Sequence, residues 1–168
     1  MRLVILTGAS GSGKSTIAAG LKARLDGRLQ VLHFDSIGVP SPAAMAAGWG
    51  SGEAWQRAMT DRWMADIEAL IPRGQSILFE GQMRPSYLAA AVTGLSCECH
   101  VVLVDCSDEV RRERLTVHRR QPELANETMM RWAALLRSEA DELGFTILET
   151  TGGEIDEALL FVDRLLAA

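Results

Sequence analysis

Leu3-Val4-Ile5-Leu6 runs through Thr7 directly into Gly8-Ala9-Ser10-Gly11-Ser12-Gly13-Lys14-Ser15, and this junction decides the fold. The second stretch fits G-x-x-x-x-G-K-[ST], and the first is short, apolar and bounded by glycine, as a buried strand should be. A strand that hands a glycine-rich loop to a helix start creates a cradle for anions. The loop's backbone N–H groups converge there, and the helix dipole adds about half a positive charge. Lys14 can place its ammonium on the β/γ-phosphate oxygens of a nucleotide, and the Ser15 hydroxyl can ligate Mg²⁺. Gly8 through Thr16 are therefore the expected nucleotide-binding residues, with ATP or GTP as ligand.

Outward from that loop, the composition bounds the rest. The chain has 168 residues, 48% of them hydrophobic and 23% charged, which suits one globular domain over residues 1–168. A formal charge of −5 argues against a general nucleic-acid surface. No apolar stretch approaches the roughly 18 residues of a membrane span, and neither a signal peptide nor an anchor is expected. Three cysteines, an odd number, point away from a disulfide framework and towards a reducing cytoplasm. Cys97-Glu98-Cys99-His100 lacks metal-ligand spacing and leads into Val101–Val104, so it reads as a strand edge.

Five strand-like runs recur: Leu3–Thr7, Gln30–Phe34, Ser76–Phe79, Cys99–Val104 and Phe145–Leu148. Several are apolar at consecutive positions, as parallel strands covered on both faces require. Helical patterns separate them, at about Lys14–Leu25, about Glu53–Leu70, from Ser107-Asp108-Glu109 onward, from Asn126 to Gly144, and at Ile155–Leu166. The alternation predicts βαβ units in a three-layer α/β/α sandwich with a five-stranded parallel sheet.

Ligands gather at the carboxyl ends of such strands, where Asp35, Glu80 and Asp105 fall. Glu80 is the expected partner of Ser15 in holding Mg²⁺. Asp35 is the candidate for accepting the proton of an acceptor hydroxyl, the alternative being a local cap. Arg111, Arg112, Arg114, Arg119 and Arg120 crowd into ten residues with His118 among them. They read as a lid-like segment of about 111–127 closing on phosphate charge, the alternative being a solvated face paired with Glu109 and Glu113. Gln121-Pro122 ends the helix.

The order of these motifs resembles the small P-loop kinases, the group of adenylate, shikimate and gluconate kinases and chloramphenicol phosphotransferase. The resemblance rests on Gly8–Ser15, His33-Phe34-Asp35-Ser36, Phe79-Glu80-Gly81-Gln82-Met83-Arg84, and Val104-Asp105 followed by Arg114-Leu115. It implies a P-loop NTPase-type sheet of order 2-3-1-4-5. It makes Asp35 an acceptor-side aspartate, Arg84 a binder of acceptor phosphate, Arg114 and Arg119 lid arginines, and Thr150-Thr151-Gly152-Gly153 a loop near adenine. The sequence departs from the adenylate kinase pattern at Glu80, where Asp is usual, and at Gln82-Met83, where Phe-Pro is usual. Residues 38–72 are then an acceptor-side helical region, with Trp49 in a Gly48-Trp49-Gly50 turn as a further acceptor contact.

The expected activity is transfer of the ATP γ-phosphate to a small-molecule or nucleoside hydroxyl, using Lys14, Asp35, Arg114 and Arg119. A nucleoside monophosphate kinase and an ATP sensor without transfer are the alternatives. A GTPase would carry N-K-x-D, which is missing, and an ABC or AAA-type motor would need a signature loop or extra subdomains that this length does not hold.

Overall fold

The computed structural model describes residues 1–167. Strands β1 (Arg2–Thr7), β2 (Leu29–His33), β3 (Ser76–Gly81), β4 (Glu98–Asp105) and β5 (Thr146–Glu149) form one sheet of order β2-β3-β1-β4-β5. Every adjacent pair is parallel. The topology is that of the α/β P-loop NTPase fold, and each strand lies within two residues of the run that announced it.

Side chains alternate across the sheet, and both faces are apolar because both are covered. Val4 and Leu6 of β1 face α1 (Lys14–Leu25) and α7 (Ile155–Ala167), packing with Ile17, Leu21, Leu159 and Val162. Leu3 and Ile5 face the opposite layer, which contains α3 (Gly52–Leu70) and α4 (Pro85–Ala91). There they meet Trp55, Met64, Ile67 and Leu88. A third cluster joins Leu103 to Ala133, Leu136 and Ala140 of α6 (Glu127–Glu142). Helices α1 and α7 press close at Gly20, where a Cβ would stand 2.8 Å from the Leu159 side chain.

Polar caps start several of the helices. Ser51 accepts from Ala54 N at 3.0 Å and Asn126 from Met129 N at 3.0 Å, while Ser107 accepts from Val110 N at 3.3 Å to open α5 (Asp108–Glu113). Helix α4 was not anticipated, and the helical region expected over 38–72 holds, besides α3, a separate α2 (Pro42–Trp49), where Ser41 caps Ala44 N at 3.3 Å. Trp49 therefore ends a helix and lies exposed on it, and the expected Gly-Trp-Gly turn does not form. Helices α2 and α4 both begin with Pro at their first position, where its missing N–H costs nothing. Among the described residues no helix is long and apolar enough to cross a membrane.

Candidate functional site

Between β1 and α1 the chain wraps tightly because side chains are excluded from it. Gly8 has φ +147°, and a Cβ there would lie 2.2 Å from the Val104 carbonyl oxygen. Gly13 precedes α1 in the left-handed region, and no side chain caps the helix. The first N–H groups of α1 are thus left for an anion. Lys14 is buried and donates from Nζ to the Ala9 carbonyl at 3.1 Å and to Ser12 Oγ at 3.4 Å. Burial is the main cause that brings its pKa from 10.5 down to about 8; Glu80 opposes the shift, and Arg111 and Arg119 add to it.

The carboxyl ends of the strands place the next residues. Ser15 Oγ donates to Glu80 at 3.2 Å (Oε1) and 3.3 Å (Oε2), and His33 Nδ1 stands 2.7 Å from Glu80 Oε1. A serine hydroxyl beside a buried carboxylate is a hard-oxygen pair suited to Mg²⁺, which fills its remaining positions with water and phosphate oxygens. These residues fit the ion. Asp35 lies just past β2, in a 3₁₀ turn spanning Phe34–Ile37, with its side chain exposed. Trp63 Nε1 fixes that turn by donating to the Phe34 carbonyl at 3.2 Å. Gln82 Nε2 reaches Ser10 Oγ at 3.1 Å, linking the segment after β3 to the loop.

Asp105 serves the scaffold. It is buried and accepts from Arg111 Nη2 at 2.5 Å and Arg137 Nη1 at 2.9 Å. Arg111, with 0% exposure, also donates to the Ser10 carbonyl at 2.9 Å. It therefore lies beneath the phosphate loop, and the expected lid cannot begin at Arg111. Arg112 pairs with Glu127 at 2.8 Å, instead of with Glu109 or Glu113. Arg114 Nη1 donates to the Gly11 and Ser12 carbonyls at 3.3 Å each and to Thr150 Oγ1 at 2.9 Å; Nη2 donates to the Thr150 carbonyl at 2.7 Å. Its guanidinium thus ties the loop to the segment after β5. In that segment Thr151 accepts from Ser107 N at 2.7 Å and donates to Glu149 at 2.5 Å, so Thr150 makes the contacts nearer the phosphate loop.

Arg114–His118 form a π-helical turn closed by Arg119 N donating to the Arg114 carbonyl at 2.9 Å. On an α-helix five residues would leave Arg119 about 140° away from Arg114. The wide turn absorbs an extra residue and brings Arg119 back towards that face. Arg114, His118 and Arg119 consequently all line a cavity of about 850 Å³. Gly13, Lys14 and Ser15 line the cavity as well, together with the apolar Ile17, Leu148, Ile155 and Phe161. Its volume suits a nucleotide-sized ligand.

Arg84 is engaged elsewhere. Nε donates to Glu139 Oε1 at 2.8 Å, and Nη1 approaches Glu53 and the Tyr87 hydroxyl at 3.4 Å each. Ser86 completes the pair by donating to Glu139 Oε2 from N at 3.1 Å and Oγ at 2.9 Å. Burial works against the Glu139 carboxylate, yet the Arg84 and Ser86 donors hold its pKa below the usual range. Trp49 stands on α2, which packs on α3. In β4, burial pushes the Cys99 thiol up to about 12, an environment unsuited to a thiolate ligand.

Sequence reasoning singled out the loop, Glu80 and Asp35 and named Thr150 within a loop near adenine, but it gave His33 no role and missed the scaffolding role of Asp105. The register His33↔Glu80 between β2 and β3 would have exposed the His33 contact, since each residue ends its apolar run.

A family model described as an AAA domain matches residues 4–133. Shikimate kinase from Acinetobacter baumannii, solved with shikimate, shares 19% identity and superposes with a TM-score of 0.65 over 98% of this chain and 92% of its own. A sugar kinase from a Janibacter species shares 22% identity, with a TM-score of 0.63 over 99% of this chain and 95% of its own. No curated protein matches the sequence significantly. The sequence reading set aside an AAA-type motor; the matching family carries the AAA name, while these similar structures are described as kinases. The chain belongs to the AAA domain family and has the fold of the small P-loop kinases.

Proposed function

We propose that this protein is an ATP-dependent kinase that transfers the γ-phosphate to a hydroxyl of a small molecule or nucleoside. One observation carries the reading: Lys14 and the Ser15–Glu80 pair line one side of the phosphate loop, and Asp35 stands exposed past the end of the neighbouring strand. The triphosphate lies on the loop amides, with Lys14 on the β/γ oxygens. The Asp35 carboxylate accepts the acceptor's hydroxyl proton as that oxygen bonds to the γ-phosphorus. The bond to the bridging oxygen breaks, and ADP leaves with its electron pair. Arg119, which lines the same cavity, would meet the charge that develops on the transferring group. Mg²⁺, held by Ser15 and Glu80 directly or through water, would neutralise phosphate charge.

The bond from Arg84 to Glu139 favours a hydroxyl acceptor over a nucleoside monophosphate, because the cation that would hold an acceptor phosphate already has a carboxylate. Measuring ADP release with and without candidate metabolites and nucleosides tests the proposal. A kinase is strongly stimulated by its acceptor, whereas a sensor gives the same slow release throughout. Thermal shift with a non-hydrolysable ATP analogue finds the acceptor, since binding raises the melting temperature by mass action.

A further inference from the structure

His33 opens one of the stretches that carry the kinase resemblance but has no role in the proposed reaction, yet it makes one of the shorter polar contacts at the site. It ends β2 directly opposite Glu80 in the β2–β3 register, and Nδ1 lies 2.7 Å from Glu80 Oε1. A carboxylate only accepts, so Nδ1 carries the hydrogen. The Glu80 side chain is 10% exposed and that of His33 is 50% exposed. The buried partner is the one that gains most from the bond: it has Ser15 on one side and the imidazole on the other. Free torsion about the Glu80 side chain would let the carboxylate turn away from Ser15. The imidazole blocks that rotation from a strand end that the sheet itself fixes.

We infer that His33 is a positioning residue that aims the Glu80 carboxylate at the Ser15 side of the phosphate loop and thereby sets the Mg²⁺-dependent part of nucleotide affinity. This rests on the nucleotide reading above and adds a residue to it. Carboxylates near metals are commonly oriented by an outer hydrogen bond whose loss costs about 10–100-fold in metal affinity or activity.

The test is calorimetric titration of ADP into wild type, His33→Leu and His33→Asn, each with saturating Mg²⁺ and each in EDTA. Asparagine keeps an N–H donor close to the Nδ1 position; leucine removes it. The expected result is that His33→Leu loses about 10–100-fold of the tightening that Mg²⁺ confers. His33→Asn retains most of it, and the three proteins bind ADP alike in EDTA. Wild-type Mg²⁺-dependent tightening in His33→Leu overturns the inference, as does an equal loss in His33→Asn or a loss of the same size in EDTA. If wild type itself binds no ADP, the nucleotide reading falls first and the inference with it.

Discussion

The two sides of this molecule are built to different standards. On the nucleotide side, carbonyls of the phosphate loop are taken up by Lys14, Arg111, Arg114 and Thr150, and the first amides of the uncapped α1 are left for an anion. On the side proposed for the acceptor, Asp35 is exposed, no residue of α2 is buried, and Gly38 and Gly50 before and after it have open space where a Cβ would go. The difference teaches where the chain spends its internal hydrogen bonds. A polyphosphate is bound by a preformed surface, because rigid donors lose little entropy on binding.

The contrast is broken most directly at Lys14. Lys14→Ala removes the cation from the rigid side and should cut acceptor-stimulated turnover by about 10³–10⁵, the scale of a cation on a transferring phosphoryl group. Steady-state ADP release measures it, and unchanged turnover would reject the site. Asp35→Asn probes the open side. Transfer should fall by about 10²–10⁴, as for loss of a positioned base, while calorimetry shows ADP affinity intact. Normal transfer in that variant would reduce Asp35 to a local cap.

Arg111 sharpens the comparison as a matter of stability. Arg111→Leu leaves the Asp105 carboxylate buried, with Arg137 as its remaining arginine partner and the Ser10 carbonyl without its donor. Breaking a buried pair from one side costs about 3–5 kcal/mol, readable as a lower denaturant midpoint. A loss within about 0.5 kcal/mol would mean the loop does not depend on this scaffold.

How much of this was legible in the sequence follows from the range of the forces involved. Local patterns gave the five strands and the phosphate loop, because apolar runs and glycine spacing act within a few residues. Helix α4 and the separate start of α2 escaped because both helices are short, seven and eight residues, although Ser41-Pro42 is a helix start with a capping hydroxyl. Arg111 was misplaced for a different reason. Helical periodicity put it on one stripe with Arg114 and His118, which the cavity bears out for the latter two. Only the fold shows that the stripe's first member tucks under the loop, where Asp105 neutralises it. The π turn that re-aims Arg119 has no sequence signature, since it arises from one residue too many for the turn it occupies.

The smallest effect concerns one proton. Lys14 has its pKa lowered to about 8, chiefly by burial, and nucleotide phosphates in contact with the ammonium raise it again. Between about pH 8 and 10.5 the unfolded chain therefore holds more protons at this position than the free folded protein does. The Lys14 contribution to the unfolding free energy of the unliganded protein thus rises with pH across that window, opposed above about pH 9 by Cys99, whose raised pKa acts the other way, and the penalty of a buried ammonium is fully present below it. Binding runs the other way. ADP must restore the proton, so affinity falls as pH climbs above about 8, by no more than about tenfold per pH unit for a single group. Calorimetry at pH 9 in buffers of different ionisation enthalpy should show proton uptake on binding. Lys14→Met should abolish the rise in unfolding free energy between about pH 8 and 9, because the exposed Asp35 side has no comparable desolvated cation to take its place. If the variant keeps the same pH slope, the strain lies in another group and the phosphate loop is more open to water than its packing indicates.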